Sequence, residues 1–300
     1  MKNRVEQFVA ALEQADCGVE GVVLYQNGEI TLNHRFVPSK ERLIYSHTKS
    51  FVSTAAGMAI DEGKLNLDTC LMDWFPEYAP CVTDERVYQI TLRDLLTMSS
   101  GFGGSFLMHN ERRSGEGVPD YLAYMLAKPV VHTPGERFVY SNADTHLAGC
   151  MVERSVGEPL VTYLYRKLFA PLGIGYPAWE SDPKGTVFGG SGLYLTLENM
   201  AKLGVLYLQD GIWQGQRLLS HNWVTEAGKK QIATGTNEPW GGGYGYQFWT
   251  IGHQEGAFRA DGAYGQFSLI LPQSHAVVGI QSSEQSNTGK TVSLIIEHLV

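Results

Sequence analysis

Ser46-His47-Thr48-Lys49 places a hydroxyl and an amine three positions apart in a short stretch of chain. If a helix begins at Ser46, Lys49 follows one turn later on the same face, where its amine reaches the serine oxygen. A serine needs a base to become nucleophilic, and a lysine can serve when burial and neighbouring positive charge lower its pKa. The Ser46 amide would then be one of the orphan donors of a helix N-terminus, available to a developing oxyanion. The pair alone is weak evidence, because a chain of this length contains roughly one S-x-x-K by accident. Ser181-Asp182-Pro183-Lys184 is a second example. There Pro183 and Gly185 make a loop, with no helix to fix the geometry. Taken singly, Ser46 and Lys49 read rather as an ordinary capping serine beside a solvated lysine, a reading the partner motifs must overturn.

The flanking residues supply the missing helix. Arg42-Leu43-Ile44-Tyr45 is a short, largely apolar run, and Phe51, Val52, Ala55, Ala56, Met58 and Ile60 recur at helical spacing before Gly63. A second segment, Tyr140-Ser141-Asn142, follows the turn residues Pro134-Gly135 and precedes a helix pattern carrying Leu147, Ala148, Met151 and Val152, which ends at Gly157. Ser141 or Asn142 can cap that helix. A tyrosine just outside a helix start can act as a base or a proton shuttle, and the Asn142 amide can orient a lysine and a substrate carbonyl. A third segment runs from Phe258 through Ala260-Asp261-Gly262-Ala263 to Phe267. It leads into two apolar runs, Ser268–Pro272 and Ala276–Ile280, that read as a hairpin turning near Gln273-Ser274-His275.

In this order and spacing the three segments resemble the serine β-lactamase and penicillin-binding-protein superfamily, whose motifs are S-x-x-K, Y-x-N or S-x-N, and K-T-G. Ile90–Gly101 is similar to the helix-and-loop segment after the first motif in class C-type members. Phe169–Ile174, Gly189–Tyr194 and Asn199–Lys202 carry the likeness over nearly the whole chain. The branch resembled is that of the class C-like (family VIII-type) esterases and 6-aminohexanoate-dimer hydrolases. The resemblance implies an α/β (α+β), β-lactamase-like fold: an antiparallel sheet flanked by N- and C-terminal helices, with a mostly helical inserted subdomain. It implies Ser46 as nucleophile, Lys49 and Tyr140 as the proton-transfer groups, Asn142 in support, and the backbone amides of Ser46 and Ala263 as the oxyanion hole.

One departure matters. The K-T-G position holds Ala260-Asp261-Gly262, so the cation that would bind a penicillin-like carboxylate is absent. Acyl transfer survives this, since its chemistry needs Ser46, Lys49, Tyr140 and backbone donors. Ala260, Asp261 and Gly262 are the candidate substrate-binding residues. The Asp261 carboxylate could meet a cationic substrate group or turn away to cap a turn. The expected function is a serine hydrolase working through an acyl-enzyme on ester or linear amide bonds. A β-lactamase or DD-peptidase is the alternative, and a non-catalytic sensor or binding protein on the same fold is a second.

Composition narrows the field. A formal charge of −8 over 300 residues, without a basic cluster, argues against a nucleic-acid surface. No apolar stretch reaches membrane-spanning length, and the first residues lack a secretory apolar run, so a cytoplasmic protein acting on small-molecule esters or amides is expected. Cys17, Cys70, Cys81 and Cys150 lack C-x-x-C spacing and suggest reduced thiols. The nine histidines are dispersed without H-x-x-x-H spacing, so neither a metal nor a cofactor is expected.

The organisation follows from the ends. An amphipathic helix containing Phe8 and Leu12 precedes two apolar runs joined by Asn27-Gly28, a strong hairpin signal. Thr291–Val300 closes the chain as another amphipathic helix. The expected division is an α/β part over residues 1–90 and 183–300 and a helical insert over 91–182, with the nucleophile helix at their junction. Three loops rich in aromatics and glycine, Gly101–Phe106, Tyr176–Trp179 and Trp240–Trp249, are candidates for the pocket rim.

Overall fold

Asn27 and Gly28 both have positive φ, 53° and 92°, the geometry of the tight turns that match strand twist. They join β1 (Val19–Gln26) to β2 (Glu29–Arg35) as the sequence predicts. The computed structural model describes residues 2–112, 117–236, 242–252 and 254–299. Six further strands complete the sheet: β3 (Ile232–Ala233), β4 (Gly243–Tyr244), β5 (Trp249–Thr250), β6 (Phe258–Gly262), β7 (Gln266–Leu271) and β8 (Ala276–Ser282). Their order is β2-β1-β8-β7-β6-β5-β4-β3, with every neighbouring pair antiparallel. The predicted hairpin is β7 and β8, turning through Pro272–Ser274. The last three strands at the β3 edge are two residues each, too short to leave a periodic signal.

Both faces of the sheet are covered, which explains why β7 and β8 are buried along their whole length and read as nearly continuous apolar runs. On one face lie α1 (Lys2–Ala15) and the C-terminal helix Thr288–Leu299, where Phe8, Leu12 and Ile295 pack on Phe267, Leu269 and Val278. On the other face Ile270 and Val277 join the larger core. That core is built around α2 (Thr48–Asp61), α3 (Asn142–Val156) and α4 (Leu197–Leu208). Leu269 has no exposed surface, and truncating such a side chain to alanine costs about 2–5 kcal/mol.

The α2 helix is buried on all sides from Thr48 to Ala59, more deeply than an amphipathic reading of its sequence suggests. Its polar side chains are consumed internally. Ser50 Oγ donates to the Gln247 carbonyl at 2.8 Å and Ser53 Oγ to the Tyr246 carbonyl at 2.7 Å. Helix α3 is capped by Ser141, whose hydroxyl accepts from the Ala143 amide at 3.2 Å, and ends at Gly157. Among the described residues, no helix is long and apolar enough to cross a membrane.

Candidate active site

Ser46 lies in a single 3-10 turn, Tyr45–His47, that runs directly into α2. The α-helix thus starts two residues later than a Ser46 start would give, yet the one-turn relation survives: Lys49 Nζ lies 3.3 Å from Ser46 Oγ. Two tyrosines brace the turn. Tyr45 and Tyr264 both have left-handed φ, 48° and 59°, a conformation that costs about 1–3 kcal/mol each, and their rings meet at 4.9 Å. Strand β6 reaches the turn because residue 262 has no side chain. A Cβ on Gly262 would lie 2.2 Å from the Ile44 carbonyl oxygen. Ser46 and Ala263 consequently line one cavity of about 390 Å³, as two converging oxyanion donors would have to.

Lys49 is 1% exposed. Its Nζ donates to Asn142 Oδ1 and to the Gly190 carbonyl, both at 2.5 Å, while Asn142 Nδ2 donates to the Leu107 carbonyl at 3.1 Å. Burial first, and then the positive charge of Arg112, hold the lysine well below its ordinary pKa; Asp144 opposes them. A neutral amine beside a serine hydroxyl can accept its proton. Tyr140 lies with its ring 5.1 Å from Lys49 Nζ. Burial pushes its phenol upward, a hydrogen bond with Ser46 opposes this, and Asp261 adds to it. The phenol therefore stays protonated and is suited to donate, whereas a resting phenolate base is disfavoured.

The cavity wall is aromatic and charged. Tyr140 stacks on Trp249 with centroids 5.7 Å apart, and Arg259 Nε donates to Asp261 Oδ2 at 3.0 Å. Of the two readings open for Asp261, the carboxylate faces the cavity, and Arg259 lines it as well. Ala260 is placed differently from expectation. Successive strand residues alternate in direction, so between Arg259 and Asp261 the Ala260 side chain points into the core, 1% exposed. Gly262 lines a smaller adjoining cavity.

Of the three candidate rim loops, Gly242, Gly243 and Trp249 line the site cavity, whereas Trp240 and Gly241 lie outside the described residues. The Gly101–Phe106 loop acts from behind, with Ser105 Oγ donating to the Tyr140 carbonyl at 2.7 Å. Trp179 turns inward, its Nε1 donating to the Phe188 carbonyl at 3.0 Å. Ser181 and Lys184 belong to a loop in which Asp182 accepts the Lys184 amide.

Several participants carry no clear mark in the sequence. His47, next to the serine, is fully buried and bonds Ser268 Oγ at 2.9 Å, and burial lowers it to about 3. It is neutral and engaged elsewhere. Asp144 lies on α3 and accepts from Ser100 Oγ at 2.9 Å; burial raises it to about 7 despite that bond. Arg112, which depresses Lys49, stacks 3.8 Å over the Phe188 ring. Of these only Asp144 carried a usable signal, an acidic residue on the inward side of a helix that buries Leu147, Met151 and Val152. Among the described residues, no group of three or more His, Cys, Asp or Glu side chains could hold a metal.

Over most of its length the chain is similar to known proteins. The family profile described as Beta-lactamase matches residues 5–296. The 6-aminohexanoate-dimer hydrolase of Paenarthrobacter ureafaciens is 27% identical over 81% of this chain and 66% of its own length. Esterase EstB of Burkholderia gladioli is 28% identical over 46% of this chain and 38% of its own length. The chain thus spans no more than two thirds of either relative. The structure of a penicillin-binding protein homologue from Caulobacter crescentus superposes with a TM-score of 0.77 at 16% identity, covering 99% of this chain and 98% of that one; it shows the fold alone.

Proposed function

The chain belongs to the beta-lactamase family, and from that premise we propose that it is a serine hydrolase forming an acyl-enzyme on Ser46 with neutral ester or linear amide substrates. The observation that carries the reading is the desolvated Lys49 amine, 3.3 Å from the Ser46 hydroxyl and held from behind by Asn142 and Gly190. Lys49 takes the serine proton as Oγ attacks the substrate carbonyl, and the Ser46 and Ala263 amides receive the oxyanion. The neutral Tyr140 phenol protonates the leaving alcohol or amine and recovers a proton from the Lys49 ammonium. In deacylation a water attacks the acyl carbonyl, giving its proton to the same Lys49–Tyr140 pair, and Ser46 Oγ leaves as the pair returns that proton to it, which restores the hydroxyl and the neutral amine.

The cavity wall supports this substrate class. Arg259 and Asp261 balance one another, so among the described lining residues the wall offers a carboxylate no cation beyond that pair. The stacked Tyr140 and Trp249 offer apolar surface to a neutral acyl or leaving group. The relatives named as an esterase and a 6-aminohexanoate-dimer hydrolase support this range.

The test is covalent labelling with a fluorophosphonate, read by intact mass and peptide mapping, together with turnover of p-nitrophenyl butyrate and a chromogenic cephalosporin. Label on Ser46, and loss of at least about two to three orders of magnitude in rate in Ser46→Ala, are expected. Ester turnover should far exceed cephalosporin turnover. Label on Ser181, a fully active Ser46→Ala, or the reverse substrate order would overturn the reading.

A further inference from the structure

Lys49 is aimed by two acceptors of different standing. Asn142 is the first residue of α3, whereas the Gly190 carbonyl belongs to a turn outside helices and strands. Something must hold that turn. Part of the answer is close packing against the start of α3. A Cβ at Gly190 would lie 2.7 Å from Asn142 Cβ, and one at Gly189 would lie 2.7 Å from the Thr145 carbonyl oxygen. Trp179 Nε1 holds the flanks of the turn, donating to the Phe188 and Ser191 carbonyls at 3.0 and 3.2 Å, and a further part is a second side chain. His146, 1% exposed, follows Asn142 by one helical turn, and the Gly189 amide donates to its Nδ1 across 3.5 Å.

The imidazole is itself fixed. Its Nε2 lies 3.2 Å from Asp182 Oδ2, and Oδ1 of the same carboxylate accepts the Lys184 and Thr186 amides at 2.8 and 3.0 Å. Rings of Tyr121 and Phe188 stand 5.5 and 5.3 Å away and meet each other at 5.8 Å. We propose that His146 is a positioning residue for Lys49: with its proton on Nε2 facing Asp182, it accepts the Gly189 amide and so fixes the Gly190 carbonyl that, with Asn142, aims the amine at Ser46. This rests on the catalytic reading of Lys49 given above.

The protonation state follows from counting donors. Burial lowers the basicity of His146, but its contacts with Cys150 and Asp182 outweigh burial and raise it to about 10, a shift that by itself favours the imidazolium. An imidazolium, however, would turn an Nδ1–H toward the Gly189 N–H, donor against donor. The neutral form with hydrogen on Nε2 satisfies Asp182 and Gly189 together, and the cation satisfies only the first.

Two substitutions separate the ring's two nitrogens. In His146→Asn the amide oxygen can occupy the place of Nδ1 and still accept from Gly189. In His146→Gln the amide reaches the place of Nε2 and leaves Gly189 without that acceptor. With p-nitrophenyl butyrate, His146→Gln should lower kcat about tenfold to a hundredfold, the range for a misplaced catalytic group, with KM little changed. His146→Asn should recover most of that loss at a comparable Tm. Independently of activity, a long-range proton–nitrogen NMR spectrum of the wild-type protein at pH 7 should show His146 neutral with its hydrogen on Nε2. Wild-type kcat in His146→Gln, equal losses in both variants, or an imidazolium in the spectrum would each overturn the proposal. A wild-type protein inactive on every ester and amide would instead overturn the hydrolase reading, and the spectrum would still decide the tautomer.

Discussion

Asp261→Asn would remove the carboxylate charge that accepts from the Arg259 guanidinium in the cavity while keeping the shape of the wall. Two unit charges at the 3.0 Å separation of this pair attract by about 5 kcal/mol at an effective dielectric of about 20. Side-chain exposures of 11% and 27% bring water to the pair, and exposed pairs are worth only about 0.2–1 kcal/mol. An intermediate figure of about 1–2 kcal/mol is appropriate. Arg259 also donates to the Thr250 carbonyl at 3.2 Å and stands 5.6 Å from the Trp249 ring, contacts that hold it in the cavity after the substitution. A substrate carboxylate could then take the place of Asp261, lowering KM about fivefold to thirtyfold. The assay compares kcat/KM for p-nitrophenyl butyrate with that for the p-nitrophenyl monoester of succinate. The neutral ester should change little, the succinate ester should improve, and the improvement should shrink at high salt. Burial, opposed by Arg259, raises the Asp261 pKa, so the wild-type protein should approach the variant's preference as pH falls. Equal changes for both esters, or no change for either, would refute the placement of Asp261 in the substrate path.

Lys49→Met and Tyr140→Phe should each slow turnover strongly while the protein remains folded by circular dichroism; an undiminished rate in either assigns that proton step elsewhere. For the wild-type protein, kcat/KM should rise with pH as Lys49 loses its proton at a pKa well below 10.5, with no fall from Tyr140 ionisation in the measurable alkaline range; a limb near the ordinary lysine value would contradict the burial argument. Asp144→Asn removes a carboxyl raised from 3.8 to about 7. Between those values the native state holds a proton that the unfolded chain has lost, so wild-type stability should decline as pH rises through the window. The variant should flatten that decline in thermal melts at pH 4.5 and 8. It should also move the acid limb of kcat/KM downward, because Asp144 supports the charged form of Lys49. Gly190→Ala places a methyl group against Asn142 and should reduce kcat even where the protein still folds, a loss readable in the same ester assay.

The legible parts of this protein are those whose physics is local. Asn27-Gly28 announced its hairpin because two consecutive left-handed residues leave few alternatives, and Ser141 announced a helix start through its own side chain. The Ser46–Lys49 pairing was readable because one helical turn is a short-range constraint, true whether the turn is 3-10 or α. Ala260 is an intermediate case. Strand alternation alone separates it from Arg259 and Asp261, but only once β6 is known to run through all three residues. What tunes Lys49 comes from farther away: Arg112, Asp144 and the Gly190 carbonyl converge on it from separate stretches of chain. No spacing rule relates residue 49 to residues 112, 144 and 190, so only the assembled fold reveals their shared target. The same separation has a functional consequence. Ser46 and Lys49 alone are a hydroxyl beside an ordinary amine, and the amine becomes a competent base only when distant segments exclude water from it. On the proposed mechanism, reactivity at Ser46 is therefore a property of the packed α2–α3 contact and of the glycine turn at residues 189–190 docked on it. Perturbations of that packing should remove activity before they remove the fold.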